Sequence, residues 1–444
     1  MAGPDRMMKQ YFTLRSHYRL LVALSIMASL LVSCAPQEDK AIEIEFWAMG
    51  REGELAPKLI QQFTQENPDI RVRVQQIPWT AAHEKLLTAF AGDALPDVVQ
   101  LGNTWIAEFA AVGALAALNT YEAKSSVIYA DDYFHGVWQT NWIDNTLYGL
   151  PWYVDTRLLF YRRDLLQEAG FENPPETWAE WRAALVAIKS LVNRDTTVNE
   201  KFSVLLPLNE FMPQVVFSLQ QQAPLLRDQD QFSNFSDPQH IAALEYYLNF
   251  FRANLAPAAT ESEIANVWNE FARGYFSFYI SGPWNIGEFR RRLPLALHDK
   301  WATAPMPGPQ GLGTSIAGGS SIAVIETSEH KSEAFRLLEF LSRPDIQLKF
   351  YAMSGNLPAR LKSWQDPLLA GDKYAAAFFK QLERVKPVPR IPEWERIAQE
   401  IKVATERAVN EKWSAETTAN EIDRRANLIL AKRRWMLSKQ EAHP

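Results

Sequence analysis

The 444-residue chain has one cysteine, Cys34, so no disulfide can form within it and stability must come from core packing. Its seven histidines are scattered without ligand spacing. There is no His-Glu-x-x-His and no Asp-rich loop of the calcium-binding kind, so no metal site is expected. A Gly-x-Ser-x-Gly nucleophile turn is also missing. No strand-like segment leads into Gly-x-Gly-x-x-Gly or Gly-x-x-x-x-Gly-Lys-Ser/Thr, which argues against a nucleotide site, and no cofactor is expected. Positive charge is in short supply: 46 Lys and Arg stand against 52 Asp and Glu, a net charge of −6. A nucleic-acid partner is therefore not expected, because it would need a basic face to neutralise phosphates. The apolar stretch near the N-terminus is too short to span a bilayer comfortably, and no other run is apolar for long enough to cross one. Internal repeats and low-complexity segments are absent as well.

What is abundant is aromatic. Fifteen tryptophans is roughly two to three times average usage, and so large an amphipathic ring is costly to place without use for it. The 47% hydrophobic and 22% charged content is that of a soluble globular protein, and the length leaves room for two or three domains. At the N-terminus, Arg6, Lys9, Arg15 and Arg19 precede the apolar run Leu20 to Val32. This pattern predicts a signal peptide over residues 1–33. The run ends in Leu31-Val32-Ser33-Cys34, which is similar to a bacterial lipobox. Cys34 is accordingly expected to carry a lipid, with residues 34–40 as a tether outside the cytoplasmic membrane.

The chain is organised around Leu150 to Arg163. Pro151 makes it enter extended, and Thr156 to Tyr161 has the β-branched, aromatic and leucine content of a buried strand. Tyr153 and Asp155 then point to one side of an extended segment, so one surface receives a ring and a carboxylate together. That pairing suits a sugar, whose C–H faces lie on a ring while its hydroxyls bond to a charged acceptor. A core strand carrying a surface acid is the competing reading.

Ahead of it, Ile42 to Trp47 alternates as a strand, and Leu55, Leu59, Ile60 and Phe63 mark a helix face. Arg71 to Ile77 is a strand, Leu86, Leu87 and Phe90 mark a helix, and Asp97 to Leu101 is a short buried strand. Such alternation predicts a doubly wound, mainly parallel sheet, with ligands beyond the carboxyl ends of its strands. Those ends carry Trp47 with Glu52, and Asn103 with Trp105. A second α/β run follows Thr156. In it Thr177 and Glu180 are spaced as a capping box, and the strand Tyr275 to Ile280 is ended by Gly282-Pro283-Trp284. From Pro392 onward the chain reads as long amphipathic helices.

The order of motifs resembles the extracellular solute-binding proteins of carbohydrate ABC importers, the family of maltose-, trehalose- and oligosaccharide-binding proteins. The features that carry the resemblance are the lipobox, the strand ending in Phe46-Trp47, and Pro96-Asp97-Val98-Val99 with Gly113-Ala114-Leu115. Tyr148-Gly149-Leu150-Pro151-Trp152, Gly282-Pro283-Trp284, Ala317-Gly318-Gly319 and Phe340-Leu341-Ser342 before a proline continue it. It covers essentially the whole mature chain.

The resemblance implies a two-lobe α/β periplasmic-binding-protein fold with a cleft at the hinge. One lobe would hold residues 41–151 and 319–367, the other 156–316 and 372–444. The crossings would fall near Pro151 to Asp155, Ser315 to Gly319 and Trp364 to Gly371. Trp152, Tyr153 and Trp284 resemble the family's stacking rings, Asp155 its hydroxyl acceptor, and Glu52 and Arg360 its polar clamps from the other lobe. Gly318 and Gly319 would let the backbone approach the sugar. Trp47, Asn103, Trp105, Trp268 and Trp394 are secondary candidates. The implied function is capture of a di- or oligosaccharide, handed to the transmembrane subunits of an importer by a lipid-anchored monomer that is not an enzyme. Two alternatives stay open. A secreted glycoside hydrolase would use Glu52 and Asp155 as its carboxyl pair. A binder of a non-sugar solute, such as a polyamine, an amino acid or glycerol 3-phosphate, would need more carboxylates or more cations at the matched positions.

Overall fold

In the strand Ile42–Met49 the alternation works as written: Ile44 and Phe46 are fully buried. Glu43 and Glu45 face outward and meet Arg73 of the strand Ile70–Ile77 at 3.7 and 3.1 Å. The computed structural model describes residues 41–194, 200–264 and 266–442. The expected signal peptide, Cys34 and the tether lie outside them. Residues from Glu43 onward form one compact unit.

Two sheets organise this unit into a two-lobe α/β fold. The first has six strands, in the order Leu357–Pro358, Leu150–Asp155, Gly318–Val324, Val98–Gly102, Ile42–Met49 and Ile70–Ile77. The second has four, in the order Trp301–Ala304, Leu158–Arg162, Phe278–Ser281 and Val204–Leu205. Every residue of Leu158–Arg162 and of Phe278–Ser281 is buried, which explains the apolar and aromatic runs Leu158 to Tyr161 and Phe278 to Ile280.

The expected mainly parallel pairing needs correcting, since both sheets are mixed. Ile42–Met49 runs parallel to Val98–Gly102, but Gly318–Val324 is antiparallel to both of its neighbours. In the second sheet Leu158–Arg162 is antiparallel to both of its partners. Strand–helix alternation sets direction only for strands joined by a local crossover. These sheets are completed by segments arriving from far along the chain, whose direction no local pattern encodes.

The chain leaves the first sheet at Asp155 and enters the second at Leu158, so Thr156 and Arg157 form the passage rather than the start of a strand. The return passage lies alongside. Thr156 Oγ1 donates to the Ile316 carbonyl at 2.8 Å, and Ser315 Oγ donates to that of Arg157 at 2.7 Å. Gly318 pairs with Asp155.

The helix Trp178–Val192 begins with the capping box that its sequence predicts. The Glu180 amide donates to Thr177 Oγ1, and the Thr177 amide donates to Glu180 Oε2. Its buried face (Trp181, Leu185 and Ile188) packs with Phe217, Phe250 and Phe278. The helices Trp394–Asn410 and Ala415–Ala442 complete that core.

Candidate functional site

Strand ends of the first sheet converge on a cavity of about 540 Å³, within the roughly 300–1,000 Å³ of small-molecule sites. After Ile42–Met49 the chain turns at Gly50 into a helix whose first turn carries Arg51 and Glu52. Trp79 stands just beyond Ile70–Ile77, and Asn103 to Trp105 just beyond Val98–Gly102. Glu52 is buried and both its oxygens are engaged: Asn356 Nδ2 donates to one at 2.8 Å and Trp79 Nε1 to the other at 3.2 Å. Trp105 is held edge-on between Trp79, at 5.8 Å between ring centroids, and His83, at 5.0 Å. Asn103 Nδ2 donates to the Ala317 carbonyl at 2.8 Å, tying this turn to the return passage.

The first-sheet strand Leu150–Asp155 adds Tyr153 and Asp155, and the passages and the second lobe add Arg157, Ile316, Met212 and Trp284. Tyr153 and Asp155 do point to one side, and both line the cavity. Burial pushes the Tyr153 phenol well above its ordinary range, and the charges of Glu52 and Asp155 push the same way. Arg157 Nη1 donates to both oxygens of Asp155, at 2.9 and 2.8 Å. Burial raises the Asp155 pKa and Arg157 opposes the rise. The Arg157 guanidinium also lies over the Trp284 indole, 4.7 Å from its centroid. Carboxylate, guanidinium and indole thus form one linked surface, and the indole stays 39% exposed.

Eight of the candidates, Glu52, Asn103, Trp105, Tyr153, Asp155, Trp284, Gly318 and Gly319, are brought together on this cavity. Three others are corrected. Trp152 is fully buried, stacked on Phe350 at 4.6 Å with its edge toward Phe46 at 5.8 Å. The period-two alternation that aims Tyr153 at the cavity sends Trp152 to the other face of the sheet. Arg360 is 1% exposed and donates to Asp132, so it is an internal clamp rather than a ligand contact. Trp47 sits in the first lobe's core and donates to Glu45 Oε1 at 3.0 Å. Of the secondary candidates, Trp394 is fully buried in the second core, and Trp268 donates to Asn285 Oδ1 at 2.9 Å and does not line the cavity.

The comparisons with known proteins agree with this architecture. Residues 49–348 match the bacterial extracellular solute-binding protein family. The chain belongs to that family. It is similar in structure to the sugar-binding protein MalE from the phytopathogen Xanthomonas citri. The TM-score is 0.85 and the identity 50%, over 89% of this chain and 99% of that one. It is 24% identical over 405 residues to the galactooligosaccharide-binding protein of Bacillus subtilis, covering 86% of this chain and 89% of the relative. An uncharacterized lipoprotein of Streptomyces antibioticus is 25% identical over 397 residues, 85% of each chain.

In this solute-binding protein, several cavity residues went unnoticed in the sequence. Trp79 had a usable signal, since it follows a strand as Trp105 does. Arg157 had one too, as the opposite charge two residues after Asp155. Arg51 and Asn356 had none, because only the tertiary fold aims them inward. The two glycines have a local reason for being glycine. Gly319 has φ of +135° and a Cβ there would stand 2.4 Å from the Tyr153 carbonyl oxygen. At Gly318 the corresponding contact, with the Asp155 carbonyl oxygen, would be 2.9 Å. Gly319→Ala is therefore expected to cost about 1–3 kcal/mol from strain at a glycine-only conformation. Urea unfolding measures this, and an unchanged midpoint would show that the close approach is dispensable.

Proposed function

We propose that the cavity binds a carbohydrate, a di- or oligosaccharide, between two lobes that close on it, and that the closed form delivers it to the membrane subunits of an ABC importer. One observation carries the reading. Three indoles and a phenol (Trp79, Trp105, Trp284 and Tyr153) share a cavity with two carboxylates whose positions are set by fixed donors. Rings take C–H faces and carboxylates take hydroxyls. Contacts come from both lobes, so ligand favours the closed form. Moving the protein from mostly open to mostly closed needs about 5.5 kcal/mol of differential binding. A few charge-assisted bonds of roughly 1.5–3 kcal/mol each are enough for that. The lobes in this reading are residues 41–151 with 319–367 and residues 156–316 with 372–444.

Membership of a family of extracellular binding proteins supports this reading, as do the sugar-binding names of the Xanthomonas and Bacillus proteins. Both Glu52 oxygens and both Asp155 oxygens are engaged by donors, which suits acceptors better than a hydrolase's acid and nucleophile. Anchoring through Cys34 belongs to the same proposal, as does a location on the outer face of the cytoplasmic membrane. The lipoprotein relative supports it, and no helix among the described residues is long and apolar enough to cross a membrane.

Thermal-shift titration of the mature protein against mono-, di- and trisaccharides tests the reading, with glycerol 3-phosphate as the anionic control. A bound sugar at a hundred times its Kd should add about 2.7 kcal/mol, a shift of several degrees that grows with concentration. No sugar should be hydrolysed. A response to glycerol 3-phosphate alone, or release of reducing ends, would overturn it.

A further inference from the structure

Trp284 and Arg51 each have two sides. They line the cavity just described, and they also line a second one of about 620 Å³ that adjoins it. Its far walls are the helix Trp284–Arg292, the end of the helix Pro344–Ser354, and Leu368. Arg51 and Trp284 are the residues that the two spaces share. Arg51 Nη2 lies 3.5 Å from the Met353 carbonyl oxygen. The indole of Trp284 is 39% exposed and Leu368 is 52% exposed, so apolar surface stands open at both ends of this space.

Apart from Arg51, the charges around the second cavity are paired within the protein. Arg290 Nη2 donates to Asp372 Oδ1 at 2.7 Å, and the Tyr351 hydroxyl donates to the other oxygen at 2.6 Å. Arg291 is paired with Glu288. No cluster of free cations waits for an anion among these lining residues. Paired charges, hydroxyls and exposed apolar faces match a neutral polyhydroxy chain.

We propose that the second cavity continues the first as the further arm of one binding site, taking the additional units of an oligosaccharide that runs past Trp284. This rests on the carbohydrate reading above and narrows it: the ligand is a saccharide of at least three units. Two variants probe the arm without touching the first cavity. Gly287 lies on the helix facing the arm, and a Cβ there would meet nothing within 4 Å. Gly287→Trp therefore fills the arm. Leu368→Lys alters its far end, should the bulky variant fail to fold.

Calorimetry would compare the di-, tri- and tetrasaccharides of the maltose, cellobiose and chitobiose series, with trehalose, on wild type and both variants. In at least one series the longer members should bind about tenfold or more tightly than the disaccharide, roughly 1.4 kcal/mol. That gain should disappear in at least one variant while disaccharide affinity stays within about twofold. A disaccharide bound with no gain from length, or a gain that survives both variants, overturns the second arm and leaves the carbohydrate reading standing. Binding of none of these sugars overturns both.

Discussion

Replacing Arg360 by alanine should destabilise the protein by about 3–5 kcal/mol, and the folded fraction should still bind its ligand. The Arg360 guanidinium is a fixed internal connector. Nε and Nη2 each reach Asp132 Oδ2 at 2.8 Å, and Nη1 donates to the carbonyls of Val127 and Ser342 at 2.9 and 3.0 Å. The Tyr133 ring lies 5.0 Å beneath it, and burial pushes that phenol up to about 12. The second Asp132 oxygen accepts from the Lys362 amide at 3.0 Å. Removing the arginine leaves a nearly buried carboxylate without its counter-charge and two carbonyls without their donor. Those losses, not the net worth of the ion pair, set the size of the effect. Arg360→Lys should recover only part of it, because one ammonium cannot replace a fork that spans three acceptors. Urea unfolding gives the stability, and titration below the transition gives the affinity. Intact stability with lost affinity would return Arg360 to the ligand site.

Trp284→Ala should do the reverse, weakening sugar binding by about 10- to 100-fold with little change in stability. Loss of ring stacking accounts for about 0.5–1.5 kcal/mol, and the apolar area no longer covered adds an amount of similar size. Little of the fold leans on this ring. It is 39% exposed, rests on the Gly282 backbone, where any Cβ would strike it, and receives Arg157 on its surface. Its loss also frees Arg157, so the position of Asp155 should loosen and add to the effect. Trp284→Phe should retain part of the affinity. Calorimetry with the best sugar from the thermal screen decides the matter, and an unchanged Kd would remove Trp284 from the site.

The two predictions separate residues that looked alike on paper, since Arg360 and Trp284 both stood in motifs resembling a ligand contact. Trp284 follows a strand end and a Gly-Pro turn, and local geometry was enough to aim it outward. Arg360 follows the edge strand Leu357–Pro358, and its direction depends on Asp132, 228 residues earlier. The stretch Leu150 to Asp155 shows the same division at shorter range. Alternation put Tyr153 and Asp155 on one side and, by the same rule, removed Trp152 to the other. That consequence was available in the sequence, and the family likeness of adjacent aromatics hid it.

Local rules therefore reached as far as single elements. The alternation of Ile42 to Phe46, the capping box at Thr177 and Glu180, and the shared face of Tyr153 and Asp155 all follow from backbone geometry over a few residues. Contacts between distant segments answer to a different cause. Asn356 meets Glu52 across 304 residues, and Gly318–Val324 enters the sheet antiparallel to strands far ahead of it. Arg157 links Asp155 to an indole on a helix of the other lobe. Such encounters are chosen when the whole core closes, and no short window of residues carries the information about which partner will be there.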